Sequence, residues 1–259
     1  MHPMVNIAIR AARNAGNIIR RSSDRIDSLN ITEKTRNDFV SEVDQQAEQE
    51  IIRTINRAYP EHAILAEESG KHRGNDYQWI IDPLDGTTNF LRGFPQFSVS
   101  IAMKYRGKLE HAVVFDPMRD EIFSATRGQG AQLNDRRIRV TNRKSLNGAL
   151  LGTGIPFRED QNLDAYIPTL KALIAGTAGV RRAGSAALDL AYVAAGRLDG
   201  FWEYGLREWD MAAGCLLIQE AGGILSDTDG SNNHLKTGNI VAGNVKIHQE
   251  MLARLKSCQ

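Results

Sequence analysis

Ile81-Asp82-Pro83-Leu84-Asp85-Gly86-Thr87-Thr88-Asn89-Phe90 sets two carboxylates three residues apart, punctuated by a proline and a glycine and followed at once by two hydroxyls. The run before it, Tyr77-Gln78-Trp79-Ile80-Ile81, is short, apolar and bounded by polar residues, so it reads as a buried strand. The carboxylates therefore stand where that strand ends and turns. Two aspartates held close repel each other unless a cation lies between them. Hard oxygen ligands suit Mg²⁺, which keeps several waters and also takes phosphate oxygens. Gly86 lets the backbone approach a ligand closely, and Thr87-Thr88 can open a helical turn whose N–H groups bind an anion. Taken alone, an Asp-x-x-Asp reads first as a solvated turn, because Asp-Pro and Asp-Gly pairs are common there. The surrounding chain decides between the two.

Upstream, Met4, Ile7, Ala8, Ala11, Ala12, Ala15, Ile18 and Ile19 recur at helical spacing while Arg10, Arg13, Asn17, Arg20 and Arg21 fall mostly elsewhere. That pattern predicts an amphipathic surface helix. A second helix is predicted from near Asp44, with Val43, Ala47, Ile51, Ile55 and Ala58 as its buried stripe and Tyr59-Pro60 as its stop. Ala63-Ile64-Leu65-Ala66 reads as a strand running into Glu67-Glu68. Residues 70–76 are polar and basic with two glycines, and read as a surface loop. Residues 97–105, 109–115 and 121–126 read as strands, the first two joined by a hairpin at Arg106-Gly107-Lys108.

Near Asn142 the pattern changes to strands alternating with helices, which argues for an α/β layer. Strands are predicted at 149–151, 199–203, 224–225 and 240–242. Helices are predicted at 163–174, 185–195 and 209–221, the last stopped by Gly222-Gly223, and from about Lys246 onward. Residues 1–142 are thus expected to form helices plus an antiparallel sheet carrying the acidic motifs. Residues 143–259 are expected to form an α/β subdomain, the two fused into one unit around a cleft.

The composition excludes several function classes. The 259 residues carry a net charge of +1, so no global field draws the chain to nucleic acid or to a membrane surface. Hydrophobic content is 42% and charged content 24%, ordinary for a globular protein. Cys215 and Cys258 are far apart and form neither a metal-ligand spacing nor a disulfide framework. No apolar run reaches transmembrane length and no signal peptide is visible, so the chain is expected in the cytoplasm, without membrane association. The histidines show no metal-ligand pattern; His62, His72 and His234 read as surface residues and Cys215 as an inert packed thiol.

Four segments together resemble the inositol monophosphatase family of lithium-sensitive, magnesium-dependent phosphatases. They are Asp38-Phe39-Val40-Ser41-Glu42-Val43-Asp44, Glu67-Glu68-Ser69, Asp82-Pro83-Leu84-Asp85-Gly86-Thr87-Thr88, and Trp209-Asp210-Met211-Ala212-Ala213-Gly214 followed by Glu220-Ala221-Gly222-Gly223. They occur in the family's order from residue 38 to 223. The Met-x-Pro-Met opening, Leu151-Gly152-Thr153-Gly154 and Arg181-Arg182-Ala183-Gly184-Ser185 look most like its bacterial SuhB-like branch. The resemblance implies an αβαβα layered sandwich of mixed α+β and α/β character, a homodimer, and hydrolysis of inositol 1-phosphate or a similar small phosphate ester with two or three Mg²⁺ ions. It also implies the branch's other association, transcription antitermination at ribosomal RNA operons with Nus factors and RNA polymerase.

Carried over position by position, the resemblance implies that Glu67, Asp82 and the Leu84 carbonyl hold one ion and that Asp82, Asp85 and Asp210 hold a second. Two such ions clamp the attacking and leaving oxygens of a displacement. Glu67 and Thr87 would orient the attacking water; the Gly86 and Thr87 amides, beside Thr88, would hold phosphate. Asp44 would tune the site from outside the ligand shell, and Lys34 aligns with a lysine near the metals. Ala186 and Glu203 would contact the ring of the alcohol. Plainer readings stand beside these: Asp44 as a helix start, Trp209 as core packing that seats Asp210, Glu203 as the partner of a nearby arginine.

Rival chemistries fit less well. Haloacid-dehalogenase-type phosphatases resemble Asp-x-Asp-x-Thr, with the pair two residues apart and one aspartate attacking phosphorus; the wider spacing here points to water as the attacker. No P-loop is present. Leu151-Gly152-Thr153-Gly154 follows a strand, but Phe157 breaks the dinucleotide fingerprint. The basic runs Arg136-Arg137-Ile138-Arg139 through Arg143-Lys144, and Arg181-Arg182, read first as solvated faces and second as contacts for a transcription partner.

Overall fold

Helices, a sheet, helices, a second sheet and helices stack in five layers, the αβαβα arrangement that the resemblance implies. The computed structural model describes residues 2–28, 31–35, 38–156 and 161–258, with the backbone alone at 24, 27–28, 31, 33–35 and 38–40. The first part of the chain contains α1 (Pro3–Ser22), a 3₁₀ segment (Ser23–Ser28), β1 (Ile31–Thr35), β2 (Asp38–Ser41), α2 (Glu42–Ala58), β3 (Ala63–Ala66), β4 (Gly70–His72) and β5 (Tyr77–Asp85). It continues through α3 (Thr87–Leu91), β6 (Ser98–Tyr105), β7 (Lys108–Asp116), β8 (Glu121–Thr126), β9 (Gly130–Leu133) and β10 (Arg136–Arg137). Then follow β11 (Leu150–Thr153), α4 (Leu163–Ile174), β12 (Gly179–Arg181), α5 (Ala186–Ala194) and β13 (Gly200–Glu203). The last elements are α6 (Glu208–Glu220), β14 (Ile224–Ser226), α7 (His234–Thr237), β15 (Ile240–Gly243) and α8 (Val245–Lys256).

α1 and α2 form the outermost layer. Pro3 stands at the start of α1, where a missing N–H is harmless, and Arg20 and Arg21 lie in its last turn. α2 opens with a reciprocal cap: Ser41 Oγ accepts from Val43 N, and Asp44 Oδ2 accepts from Ser41 N at 2.8 Å. The alanine and isoleucine stripes of both helices pack against one face of an eight-stranded sheet of order β10-β9-β8-β7-β6-β5-β3-β4. On its other face lie α5 and α6, which also cover the second sheet, of order β12-β11-β13-β15-β14. α4 and α8 close the far side.

The middle helices show why small residues crowd their sequences. α6 is buried almost all round, from Met211 to Ile218, as a helix between two sheets must be. Gly214 faces α5 so closely that an added Cβ would stand 2.4 Å from Leu190 Cβ. Gly222, at φ 85°, takes the left-handed conformation that ends α6.

Four local expectations change. Residues 70–72 are not loop but the strand β4, paired antiparallel to β3 at the sheet edge. The first sheet is not wholly antiparallel, because β3 and β5 run parallel. Ala58 is exposed at the end of α2, whose buried stripe closes at Ile55. His234 is buried, whereas His72 is exposed and His62 lies half-buried between the rings of Tyr59 and Tyr77.

Candidate active site

A shift in strand register assembles the acidic centre. β5 pairs with β6 so that Asp82 faces Ser100 and Asp85 faces Ser98, three residues against two. Regular alternation would send side chains at i and i+3 to opposite faces. Ile80 packs on the α5/α6 side, and Ile81 and Leu84 on the α1/α2 side. The extra residue beside Pro83, which needs no ladder N–H there, turns Asp85 back to the face of Asp82. Glu67 joins them from the end of β3: its N–H donates to Ile81 O at 3.1 Å, extending the parallel ladder by one residue. By alternation it faces the way Leu65 does, toward α5 and α6. Asp210, in the first turn of α6, completes the group from the facing layer.

Each aspartate is oriented by donors. Asp82 Oδ1 accepts from Leu84 N at 3.0 Å. Asp85 Oδ2 accepts from Ser185 Oγ at 2.5 Å and from Ala187 N at 2.8 Å. Asp210 Oδ2 accepts from Arg207 N at 2.6 Å. Burial pushes Asp82 well above the usual carboxylate range, and the charges of Glu67, Asp85 and Asp210 push it further. Burial raises Asp85 to about 6 against the opposing hydrogen bonds. Among the described residues no three His, Cys, Asp or Glu side chains form a closed ligand set as they stand. What stands instead is a concentration of negative charge whose members face donors and one another.

Gly86 follows at φ 97°, a left-handed conformation natural to glycine, and starts the single turn of α3. A Cβ there would lie 2.9 Å from Gln96 O and 3.2 Å from Gly184 O. Thr87 Oγ1 lies 2.9 Å from Asp44 Oδ1 and 3.0 Å from Leu84 O, so its one proton serves acceptors on the protein side. Asp44 is both a helix start and the partner of Thr87; it is fully buried behind the cleft rather than lining it. Burial raises its carboxyl above the usual range, opposed by its hydrogen bonds to Ser41 and Thr87.

The cleft, about 180 Å³ in volume, brings together Glu67, Asp82, Leu84, Asp85, Gly86, Thr87, Thr88, Ala186, Glu203 and Asp210 from the sequence-predicted set. Lys34 lies in β1, and its side chain is outside the described residues. Three contributors were not singled out from the sequence. Asn89 Nδ2 donates to Gln96 O at 2.7 Å and Ala183 O at 2.8 Å, tying α3 to the segment before α5. Buried Glu48, on α2, accepts from Glu68 N at 2.8 Å and Ser69 N at 2.9 Å, and so holds the turn after Glu67. Asp189, on α5, lines the cleft. A glutamate on a helix gives no local sign of a partner 20 residues away; Asp189 alone, a charge in an otherwise apolar helix, carried a signal.

The sequence profile of the inositol monophosphatase family matches residues 1–259. The chain belongs to that family. It is 59% identical over 262 residues to a Nus factor SuhB of Pseudomonas aeruginosa, covering 99% of this chain and 97% of that protein. Among solved structures, the extragenic suppressor protein SuhB of Bartonella henselae superposes with a TM-score of 0.96 at 43% identity, covering 98% of this chain and 99% of that one. An inositol monophosphatase from Anabaena superposes with a TM-score of 0.84 at 37% identity, covering 98% and 95%. Among the described residues no helix is long and apolar enough to cross a membrane.

Proposed function

We propose that this chain is a Mg²⁺-dependent phosphatase that hydrolyses inositol 1-phosphate and related small phosphate monoesters by attack of water. The observation that carries the reading is the gathering of Glu67, Asp82, Asp85 and Asp210 on one side of the first sheet, close enough for three of these charges to act on buried Asp82. Hard, anionic oxygens with no imidazole or thiolate among them match Mg²⁺. Glu67, Asp82 and the Leu84 carbonyl would hold one ion, and Asp82, Asp85 and Asp210 another, with two or three ions in all. Bound there, Mg²⁺ supplies Lewis acidity and lowers the pKa of water.

The chain's own residues do the remaining work. Thr87 spends its proton on Asp44 or Leu84 and so presents a lone pair toward the cleft, where with Glu67 it orients the attacking water. The Gly86 and Thr87 amides, beside Thr88, face the phosphate. Asp44 keeps Thr87 in that orientation without touching substrate, and Lys34 contributes charge near the ions. Ala186 and Glu203 contact the alcohol. The test is turnover of a panel of phosphate monoesters with Mg²⁺ and after exhaustive chelation. Hydrolysis only with the metal is expected; undiminished turnover without it refutes the reading.

A second reading draws on the relative from Pseudomonas aeruginosa, which bears the name Nus factor. In it the chain also serves transcription antitermination at ribosomal RNA operons, in a complex with Nus factors and RNA polymerase, independently of catalysis. Arg136, Arg137 and Arg139 are exposed at the β10 edge of the first sheet and do not line the cleft, so surface and chemistry are separable. In a strain lacking the protein, Asp85→Asn should restore growth, and a variant with Arg136, Arg137 and Arg139 each changed to Glu should not. Rescue by active enzyme alone would refute this role. The chain is further proposed to be a homodimer in the cytoplasm.

A further inference from the structure

Asp189 is a carboxyl group that the reaction above leaves unused. It lies in the first turn of α5, only 2% exposed, among the residues that line the cleft. Its backbone N–H donates to Ser185 O at 3.0 Å. Its side chain neither accepts a hydrogen bond from a described residue nor forms an ion pair with one. The charges that reach it are those of Glu203 and Asp85, which repel it, and Arg182, which attracts it. A buried carboxyl without donors is costly, and here it is open to the cleft. It also stands within electrostatic reach of both ends of the site: Asp85 at the acidic centre and Glu203 at the alcohol end.

The strand facing it makes room for this arrangement. An added Cβ on Gly152 would meet Leu198 Cδ1 at 2.9 Å and Asp189 Cβ at 3.7 Å. One on Gly154 would stand 1.7 Å from Glu203 Oε1. In the Gly-Thr-Gly that fails as a dinucleotide fingerprint, the second glycine thus leaves space for the Glu203 carboxyl, and the first lets Leu198 pack close beside Asp189. Burial, then the charges of Glu203 and Asp85, push Asp189 well above the usual carboxylate range, and in either protonation state the carboxyl offers a hydroxyl an acceptor.

We infer that Asp189 is a specificity-determining residue of this cleft, which hydrogen-bonds a hydroxyl on the alcohol half of the ester next to the one that Glu203 would contact. This deepens, and rests on, the reading of the cleft as a phosphate-ester site. A site built to hydrogen-bond a hydroxyl rejects the analogue lacking it, because its own buried groups are then left unpaired.

The test compares inositol 1-phosphate with cyclohexyl phosphate, a ring of the same size without free hydroxyls, for the wild type, Asp189→Ala and Asp189→Asn in saturating Mg²⁺. Asp189→Ala should lower kcat/KM for inositol 1-phosphate by roughly tenfold more than for cyclohexyl phosphate. Asp189→Asn, which keeps an acceptor oxygen in a side chain of the same shape, should recover most of that difference. Equal losses on the two esters, or none on either, overturn the inference. Should Asp189→Ala not fold, wild-type indifference between the two esters overturns it equally. Calorimetry separates this from failure of the phosphatase reading. If the wild type turns over neither ester, yet Asp189→Ala weakens inositol 1-phosphate binding about tenfold and spares inorganic phosphate, the inference stands and the phosphatase reading falls. If inositol 1-phosphate does not bind at all, both fall.

Discussion

Asp85→Asn should stabilise the protein when no metal is present and destroy its response to Mg²⁺. In the folded chain, burial holds Asp85 at about 6 instead of the 3.8 of a free side chain. Keeping it ionised at pH 8 therefore works against folding by up to about 3 kcal/mol. Its partial exposure to the cleft allows solvent screening to reduce this, to about 1–2 kcal/mol. Asparagine retains the geometry: its oxygen can accept from Ser185 Oγ and Ala187 N as Oδ2 does now, and its NH₂ would point into a region of carboxylates that accept. In a chain of this size 1 kcal/mol moves Tm by about 2–4 °C, so the variant should melt about 2–8 °C above wild type in chelator at pH 8. With Mg²⁺ the order should reverse, since wild type gains binding energy that the variant has lost, and kcat should fall by about 10²-fold or more. Thermal melts followed by circular dichroism, with chelator and with Mg²⁺, check both halves. A variant that melts below wild type in chelator, or keeps a full Mg²⁺ shift, refutes the view of the site as repulsion relieved by a cation.

The same charges set a pH dependence. The metal-free folded chain holds more protons at Asp82 and Asp85 than the unfolded chain does, so their contribution to stability is present below about pH 4 and fades as pH rises, that of Asp85 through about 6; urea melts at pH 4.5 and 7.5 should show a loss across that range in chelator and a smaller one in Mg²⁺. Glu48→Gln leaves one of the amides of Glu68 and Ser69 facing an NH₂ group, and should weaken apparent Mg²⁺ affinity by about tenfold; an unchanged activation curve would remove Glu48 from the site's support. Gly86→Ala forces a side chain into left-handed backbone and against Gln96 O, and should abolish turnover while lowering stability by about 1–3 kcal/mol; a well-folded, active variant would show that the turn is not constrained. Water as attacker predicts inversion at a chiral phosphate in one in-line displacement, and retention or a trapped aspartyl phosphate would indicate a covalent route.

The local elements were legible where the chain states one requirement at a time. The stripes of α1 and α2 face a single sheet, so their period survives in the sequence. The Arg106-Gly107 hairpin declares itself through residues that tolerate positive φ, here 49° and 77°. β4 was missed because an edge strand needs only a ladder on one side, and Gly70-Lys71-His72 carries no apolar pattern to mark it. His234 was misplaced because polarity alone suggested the surface, whereas α7 is tucked beside α6. The site divides in the same way. Asp82 and Asp85 were visible as a motif, but not the register shift that gives them a common face; without it, alternation would have placed them apart. Glu48 and Asn89 act on backbone groups brought near by the fold, and backbone partners leave no trace in side-chain chemistry. Asp189 shows most directly what sequence reading overlooked: in an apolar helix its charge conflicts with burial, and such a conflict marks a position where something outside the chain is needed to satisfy the group.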